Sequence, residues 1–356
     1  KSNYIVNYII ANIDEAEEGY EYKRNEVKGR ALVHRALNYF ILTNLYGKAY
    51  NASTAATDLA VPLLLEPDIN AQPARATVKE CYDQMLSDVN EAVNLLEIDV
   101  PEYNFLPGKA AAIALRARIY LYMGEFDKAL ADAQQAVKLQ PTLYDYNMYA
   151  GAIGAPTPFM VVAFGYPATT RIDNQEIILL RTNTSYASMS SPSDEFNKII
   201  DYDNDLRALL FFTTLYGSRP INMMRTQQSG ISVSEMYLTI AEAALRKSSP
   251  DVKTAVDALD AVRSKRYLAE TYQPTTITDV NNLLDEVIKE RRREVSFCTT
   301  SFTDKKRWNC DPRTATTMTR TIFGKTYTME PNDPRYCLPI PPNVMQMNPN
   351  LVDNER

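Results

Sequence analysis

Histidine is nearly missing from this chain. Its 356 residues hold one, His34. A single imidazole excludes histidine-dependent hydrolytic triads and metal sites built from several histidines. His34 stands in GRALVHRALNYFILTNLYG, Gly29 to Gly47, an apolar helical segment, and reads as a packed helix residue. Glycine is scarce at 11, and there is no G-x-G-x-x-G, phosphate loop or G-x-S-x-G. Tryptophan occurs once, at Trp308. Four cysteines, Cys81, Cys298, Cys310 and Cys337, form no C-x-x-C pair, and free thiols and disulfides both remain open. No apolar run approaches the roughly 20 residues of a membrane span. Excess positive charge is also lacking. The net charge of −6 argues against a general nucleic-acid binder.

Tyrosine, by contrast, is abundant at 23, and alanine-rich helical segments recur. With 45% hydrophobic and 23% charged residues, the chain reads as globular and large enough for a substantial core. The clearest segment is KAAAIALRARIYLYMGEFDKALADAQQAVKLQP, Lys109 to Pro141. Ala117, Tyr120, Gly124, Ala129 and Pro141 fall in the register of a tetratricopeptide repeat, two antiparallel helices in close contact. Arg116 and Ala133 stand where such repeats place large apolar residues. One repeat cannot bury its own face, so others are expected. Ser234 to Arg266 has the same form, with Ala255, Leu259 and Val262 at the crossing. A split pair combines Gly29–Gly47 with Thr77–Leu96, whose Thr77 and Glu80 predict a capping box. Its apolar stripe is Val78, Tyr82, Met85, Val89, Val93 and Leu96. A fourth pair starts at TDVNNLLDEVIKERRREVSF.

In that last helix the apolar stripe Val280, Leu283, Leu284, Val287, Ile288 continues to Arg291, while Arg292 and Arg293 point away. A buried arginine needs a carboxylate, and Glu242, Glu294 and Asp304 are the expected partners. The region between the helical blocks, 142–230, is rich in Tyr, Pro, Thr and Ser. MVVAFGY and NQEIILLR read there as short strands. Asp14–Glu18 reads as a solvated helix face. DYDNDLRALLFF lacks the glycine and terminal glutamate of a calcium loop, so Asp205 and Arg207 read as a scaffold turn. CLPIPPNVMQMNPN, Cys337 to Asn350, is too proline-rich for a helix.

Eight segments resemble, in order, those of the SusD/RagB family. They are RALNYFILTNLYGKAY, ATVKECYDQMLSDVNEAVNLL, GKAAAIALRARIYLYMGEFDKALADAQQAV, SEMYLTIAEAAL, AVDALDAVRSKR, LLDEVIKERRREVSF, FTDKKRWN and LPIPPNVMQMNPNL. Cys298–Ser301 departs from the family's usual glycine and arginine, and the middle is short. The resemblance implies a mostly α, SusD-like fold in one domain. Scaffold is expected at 1–141 and 231–310, a variable region at 142–230 and an extended tail at 311–356. It implies a nutrient-binding protein of the outer-membrane cell surface, attached through an N-terminal lipid anchor lying outside this chain. The protein would pass an oligosaccharide, or a peptide in some members, to a SusC-like TonB-dependent transporter. No enzyme activity, cofactor or metal is expected. An intracellular tetratricopeptide scaffold for protein partners is the competing reading. A glycoside hydrolase would need two facing carboxylates, and no motif points to them.

A sugar offers apolar C–H faces and a rim of hydroxyls, so its binder needs aromatic platforms edged by amides or charges. The loop after the first helix offers Tyr50 and Asn51. The middle offers Tyr144, Tyr146, Asn147 and Tyr149, then Tyr166 and Arg171. Arg291, Glu242, Asp304 and Trp308 are expected to be structural, with Trp308 packed inside rather than stacked on a ligand.

Overall fold

The computed structural model describes residues 2–17, 19–153, 171–182, 192–213, 221–222, 229–296 and 298–355. The chain divides into two compact units. One comprises Lys1–Ile98, Tyr122–Glu125 and Phe302–Arg356, the other Asp99–Leu121 and Phe126–Ser301. The fold is mostly α, as the helical periodicity predicts. Among the described residues nine longer helices carry the scaffold: α1 Ser2–Asn12, α2 Glu21–Tyr46, α3 Val78–Leu95, α4 Lys109–Met123, α5 Phe126–Leu139, α6 Val233–Arg246, α7 Val252–Arg263, α8 Val280–Glu294 and α9 Thr299–Trp308.

In the first unit α2 packs on α3 and α1 packs on α2. The predicted capping box is present: Thr77 accepts from the Glu80 amide, and Glu80 accepts from the Thr77 amide. Val78, Tyr82, Met85 and Val89 are fully buried along the expected stripe. Gly29 sits where α2 passes the end of α3. A Cβ there would lie 2.9 Å from Leu96 Cγ, so glycine permits the approach. α2 begins two turns before Gly29. EYKRNEV has no apolar stripe to announce a helix, but Glu26 is buried and accepts from the Glu97 and Ile98 amides. Buried Arg35 bridges the pair by binding both oxygens of Asp88, at 2.9 and 2.8 Å.

The Asp14–Glu18 stretch departs from the expected helix: Ile13–Glu15 is a single 3-10 turn. The tail departs too. Met318–Ile322 and Lys325–Met329 form an antiparallel hairpin. Pro342–Met347 is a short helix, because proline suits a first helical turn that leaves amides unbonded. Arg75 holds the tail. Its guanidinium donates to the carbonyls of Ala60, Tyr46, Leu59 and Val352 and to Asn354 Oδ1.

α4 and α5, in the second unit except at their junction Tyr122–Glu125, form the predicted hairpin, turning at Gly124 with φ +79°. Lys128 lies over the Tyr120 ring, Leu121 packs with Ala129, and Arg116 binds both oxygens of Asp132 at 2.7 and 2.8 Å. Each pair joins the two helices of the hairpin in antiparallel register. The Arg116–Asp132 bond also explains why a charged residue occupies a repeat position usually apolar. α5 packs on α6, with Ala243 against Leu121 and Ala129, and α6 packs on α7, where Ala255, Leu259 and Val262 are buried. Of the two expected strands, NQEIILLR supplies Ile177–Leu179, paired antiparallel with Ile231–Ser232. MVVAFGY lies outside the described residues.

A buried ionic core and a candidate recognition surface

Four arginines are almost completely buried in the second unit: Arg118, Arg207, Arg266 and Arg291. Each reaches carboxylates, as desolvated charge requires. Arg118 binds both oxygens of Glu235, at 2.8 and 2.6 Å. Arg291 reaches Glu235 Oε1 and Thr239 Oγ1, both at 3.3 Å. Glu235 lies in the first turn of α6, where negative charge also favours the helix dipole. Arg207 binds both oxygens of Asp205 and reaches Glu290 at 2.6 Å and Glu294 at 2.8 Å. Arg266 joins Glu294 to Glu176, donates to the Tyr144 carbonyl, and stacks 4.0 Å over the Tyr146 ring. Arg293 is buried rather than solvent-facing, because it donates to the Ile199 carbonyl and binds Glu290.

Glu290 is fully buried. Burial opposes its ionisation, but Arg207, Arg293 and Arg263 outweigh it and hold the carboxyl below its usual range. Asp205 is shifted the other way: burial raises it more than Arg207 lowers it. Glu242 is buried and accepts from Arg246 at 2.8 Å. In the first unit, Asp304 accepts from Tyr122 and Arg307, and Trp308 is 3% exposed with Arg307 over its ring. Lys306 closes the end of α2 by donating to the Asn44 and Gly47 carbonyls. All four cysteines are free thiols.

The ionic core takes up much of the tyrosine cluster at 144–149. Tyr146 is 2% exposed, clamped between Arg266 and the edge-on ring of Phe211. Tyr149 is buried in the same apolar cluster, beside Leu206 and Leu210. Asn147 donates to Asp145 and the Tyr267 carbonyl and accepts from the Ala269 amide. Tyr144 is half-buried, and its hydroxyl accepts from the Gln175 amide. Tyr146 and Tyr149 therefore offer no open platform, whereas Tyr144 keeps part of its surface in solvent. Arg171 is exposed and donates through Nε and Nη2 to Asp173. Tyr166 lies outside the described residues.

In the first unit Tyr50 is half-buried, its ring tilted 4.9 Å from that of Tyr82. Tyr82 is fully buried and donates to Asn44. Burial drives its phenol far above the ordinary value. Asn51 is exposed, but its side-chain oxygen accepts from the Ser53 amide and hydroxyl, forming an Asx turn. An open groove of about 600 Å³ runs beside α3, lined by Arg75, Glu80, Asp83, Gln84 and Ser87. Glu80 is engaged in the cap, Asp83 by Lys79 and Gln84 by Asp88, and among the described residues no aromatic ring lines the groove.

One aromatic pair escaped the sequence reading. Tyr103 and Phe105, in the loop before α4, stack with ring centres 5.8 Å apart and planes 14° apart. They are 39% and 43% exposed. Asn104 between them is buried and pins the loop. Its amide donates to the Ile172 carbonyl, its carbonyl accepts from Leu180, and Nδ2 donates to the Arg171 and Asn174 carbonyls at 3.0 Å. The signal was present in EYNF, an asparagine between two aromatics.

Two family models match the chain. One, described as starch-binding associating with outer membrane, covers residues 2–121. The other, the SusD family, covers 223–356. A SusD-like protein of Formosa agariphila is 30% identical over 142 residues, 37% of this chain and 26% of that protein. The chain thus matches only about a quarter of that curated relative's length. A solved SusD superfamily protein from Bacteroides thetaiotaomicron superposes with a TM-score of 0.77 at 24% identity, covering 99% of this chain and 83% of that one. A SusD-like carbohydrate binding protein from Bacteroides vulgatus gives 0.72 at 20% identity, covering 98% and 81%. With matching models over residues 2–121 and 223–356 and the same fold over nearly its whole length, the chain belongs to the SusD/RagB family.

Proposed function

We propose that this chain is a cell-surface glycan-binding protein. It captures an oligosaccharide and delivers it unchanged to a SusC-like TonB-dependent transporter in the outer membrane. The observation that carries the reading is the match of residues 2–121 to a family described as starch-binding associating with outer membrane. Glycan binding belongs to that family description. Delivery to the transporter, attachment by a lipid anchor and the absence of catalysis belong to this proposal. The chemistry agrees. The frame is held by buried ion pairs whose carboxylates are engaged by arginine rather than facing one another across a cleft. Tyr50 and Arg171 keep accessible surface and remain proposed contacts, with Asn51 shaping the loop that carries Tyr50.

A glycan array followed by calorimetry on the hits tests the reading. At least one oligosaccharide binds, and no reducing ends are released over the titration. Co-purification with a transporter from the native outer membrane tests delivery. Failure to bind any glycan contradicts the first claim, and a transporter-free membrane complex contradicts the second.

A further inference from the structure

The turn Glu102–Phe105 combines three features that the scaffold does not require. Tyr103 and Phe105 stack on each other while leaving about two-fifths of their surface in solvent. Singly exposed aromatics are common, but a stacked, partly exposed pair on a pinned loop offers a flat apolar platform. Asn104 is 8% exposed, and its side-chain oxygen is buried without any hydrogen bond, although Nδ2 makes two. An unsatisfied buried acceptor costs about 1–3 kcal/mol. The same asparagine lines a cleft of about 30 Å³ with Pro101, Glu102, Asp173 and Gln175, enough room for a single hydroxyl group. The loop is also held in place, tied to residues 171–180 by four hydrogen bonds through Asn104.

We infer that this turn is a sugar-binding subsite, in which Tyr103 and Phe105 take the apolar face of a pyranose ring and Asn104 Oδ1 accepts a hydroxyl. The inference rests on the glycan-binding reading above and gives it a location. The chemistry selects the ligand class. Asn104 Oδ1 needs a donor, and the neighbouring carboxylates of Glu102 and Asp173 are acceptors as well. Arg171, the nearby cation, is already bound at two nitrogens by Asp173. An anion would meet carboxylates, whereas a neutral molecule rich in hydroxyl donors with one apolar face meets both requirements. The neighbouring Glu102 carboxylate raises the Tyr103 phenol above its ordinary value.

The test is calorimetric titration of the full chain with maltoheptaose, cellohexaose, laminarihexaose and xylohexaose, with hexaalanine as a peptide probe. Tyr103→Ala/Phe105→Ala weakens whichever sugar binds the parent protein by roughly tenfold or more, measured well below the variant's own thermal midpoint because both rings are only partly exposed. Tyr103→Phe retains the stack and most of the affinity. Tyr20→Ala/Tyr22→Ala serves as the control. It removes another exposed stacked pair, with centres 5.9 Å apart, and leaves affinity unchanged. Equal affinity in the Tyr103/Phe105 variant, or an equal loss in the control, overturns the subsite while leaving glycan binding intact. A parent protein that binds none of the sugars overturns the glycan reading and the subsite together, and binding of hexaalanine alone overturns the ligand class.

Discussion

Arg207 Nη1 lies 2.8 Å from Glu294 Oε2, across 87 residues of sequence and with both side chains buried. Glu294 also binds Arg266, so one carboxylate is shared by two buried guanidiniums, each of which has further acidic partners. Such a core need not be more stable than an apolar one, but removing one partner strands the others. Glu294→Ala is expected to destabilise the second unit by about 3–5 kcal/mol. Denaturant unfolding checks it, and a change below about 1 kcal/mol would mean that solvent or rearrangement replaces the carboxylate.

Acid should loosen the same core. The folded Glu290 carboxyl titrates below its usual value of 4.5, because Arg207, Arg293 and Arg263 outweigh the burial that opposes ionisation. Its contribution is therefore fully present above the unfolded value and is lost as pH falls through the lower folded one. Asp205 is raised by burial and has the opposite sign: its contribution is present below the unfolded value and is lost as pH rises through the folded one. Comparison with Glu290→Gln isolates the first effect. The thermal midpoint of the parent protein falls on acidification below about pH 4.5, and Glu290→Gln flattens that fall. Parallel curves for the two proteins would contradict the assignment.

Gly124 turns the α4–α5 hairpin with φ +79°, a conformation that costs other residues about 1–2 kcal/mol. Gly124→Ala should lower stability by that amount. An unchanged or raised unfolding midpoint would show that the turn is not held in the left-handed region.

Tyr146 and Tyr50 should behave differently. Tyr146 is packed between Arg266 and Phe211, so Tyr146→Ala should cost about 3–5 kcal/mol. Tyr50 is half-exposed, and Tyr50→Ala should lower stability by less than half as much. Thermal unfolding of both variants decides, and equal losses would contradict the difference in packing.

Much of the frame was legible in the residues. Ala117, Gly124 and Ala129 announced a hairpin through small side chains and a turn residue, and Thr77 and Glu80 announced a cap. Both signals are local, set by residues a turn or two apart. The ionic core was legible only in part. Periodicity places Arg291 inward, but Glu235, a carboxylate it reaches, lies 56 residues away and follows from tertiary packing. Arg293 fails the same periodicity argument because the Ile199 carbonyl covers its face of α8. Tyrosine density misled for a related reason. At 144–149 the rings serve apolar and cationic neighbours in the core, whereas Tyr103 and Phe105, only two residues apart, stay in solvent. Exposure depends on what folds over a residue, and composition does not report it.

The central claim is that a helical frame with an ionic core presents surface loops that hold a sugar without altering it. Calorimetric titration of the intact chain with maltoheptaose, cellohexaose, laminarihexaose and xylohexaose, with reducing ends measured afterwards, tests it most directly. The account predicts saturable binding of at least one of them and recovery of that sugar unchanged. No heat with any of the four, or the appearance of new reducing ends, would contradict it.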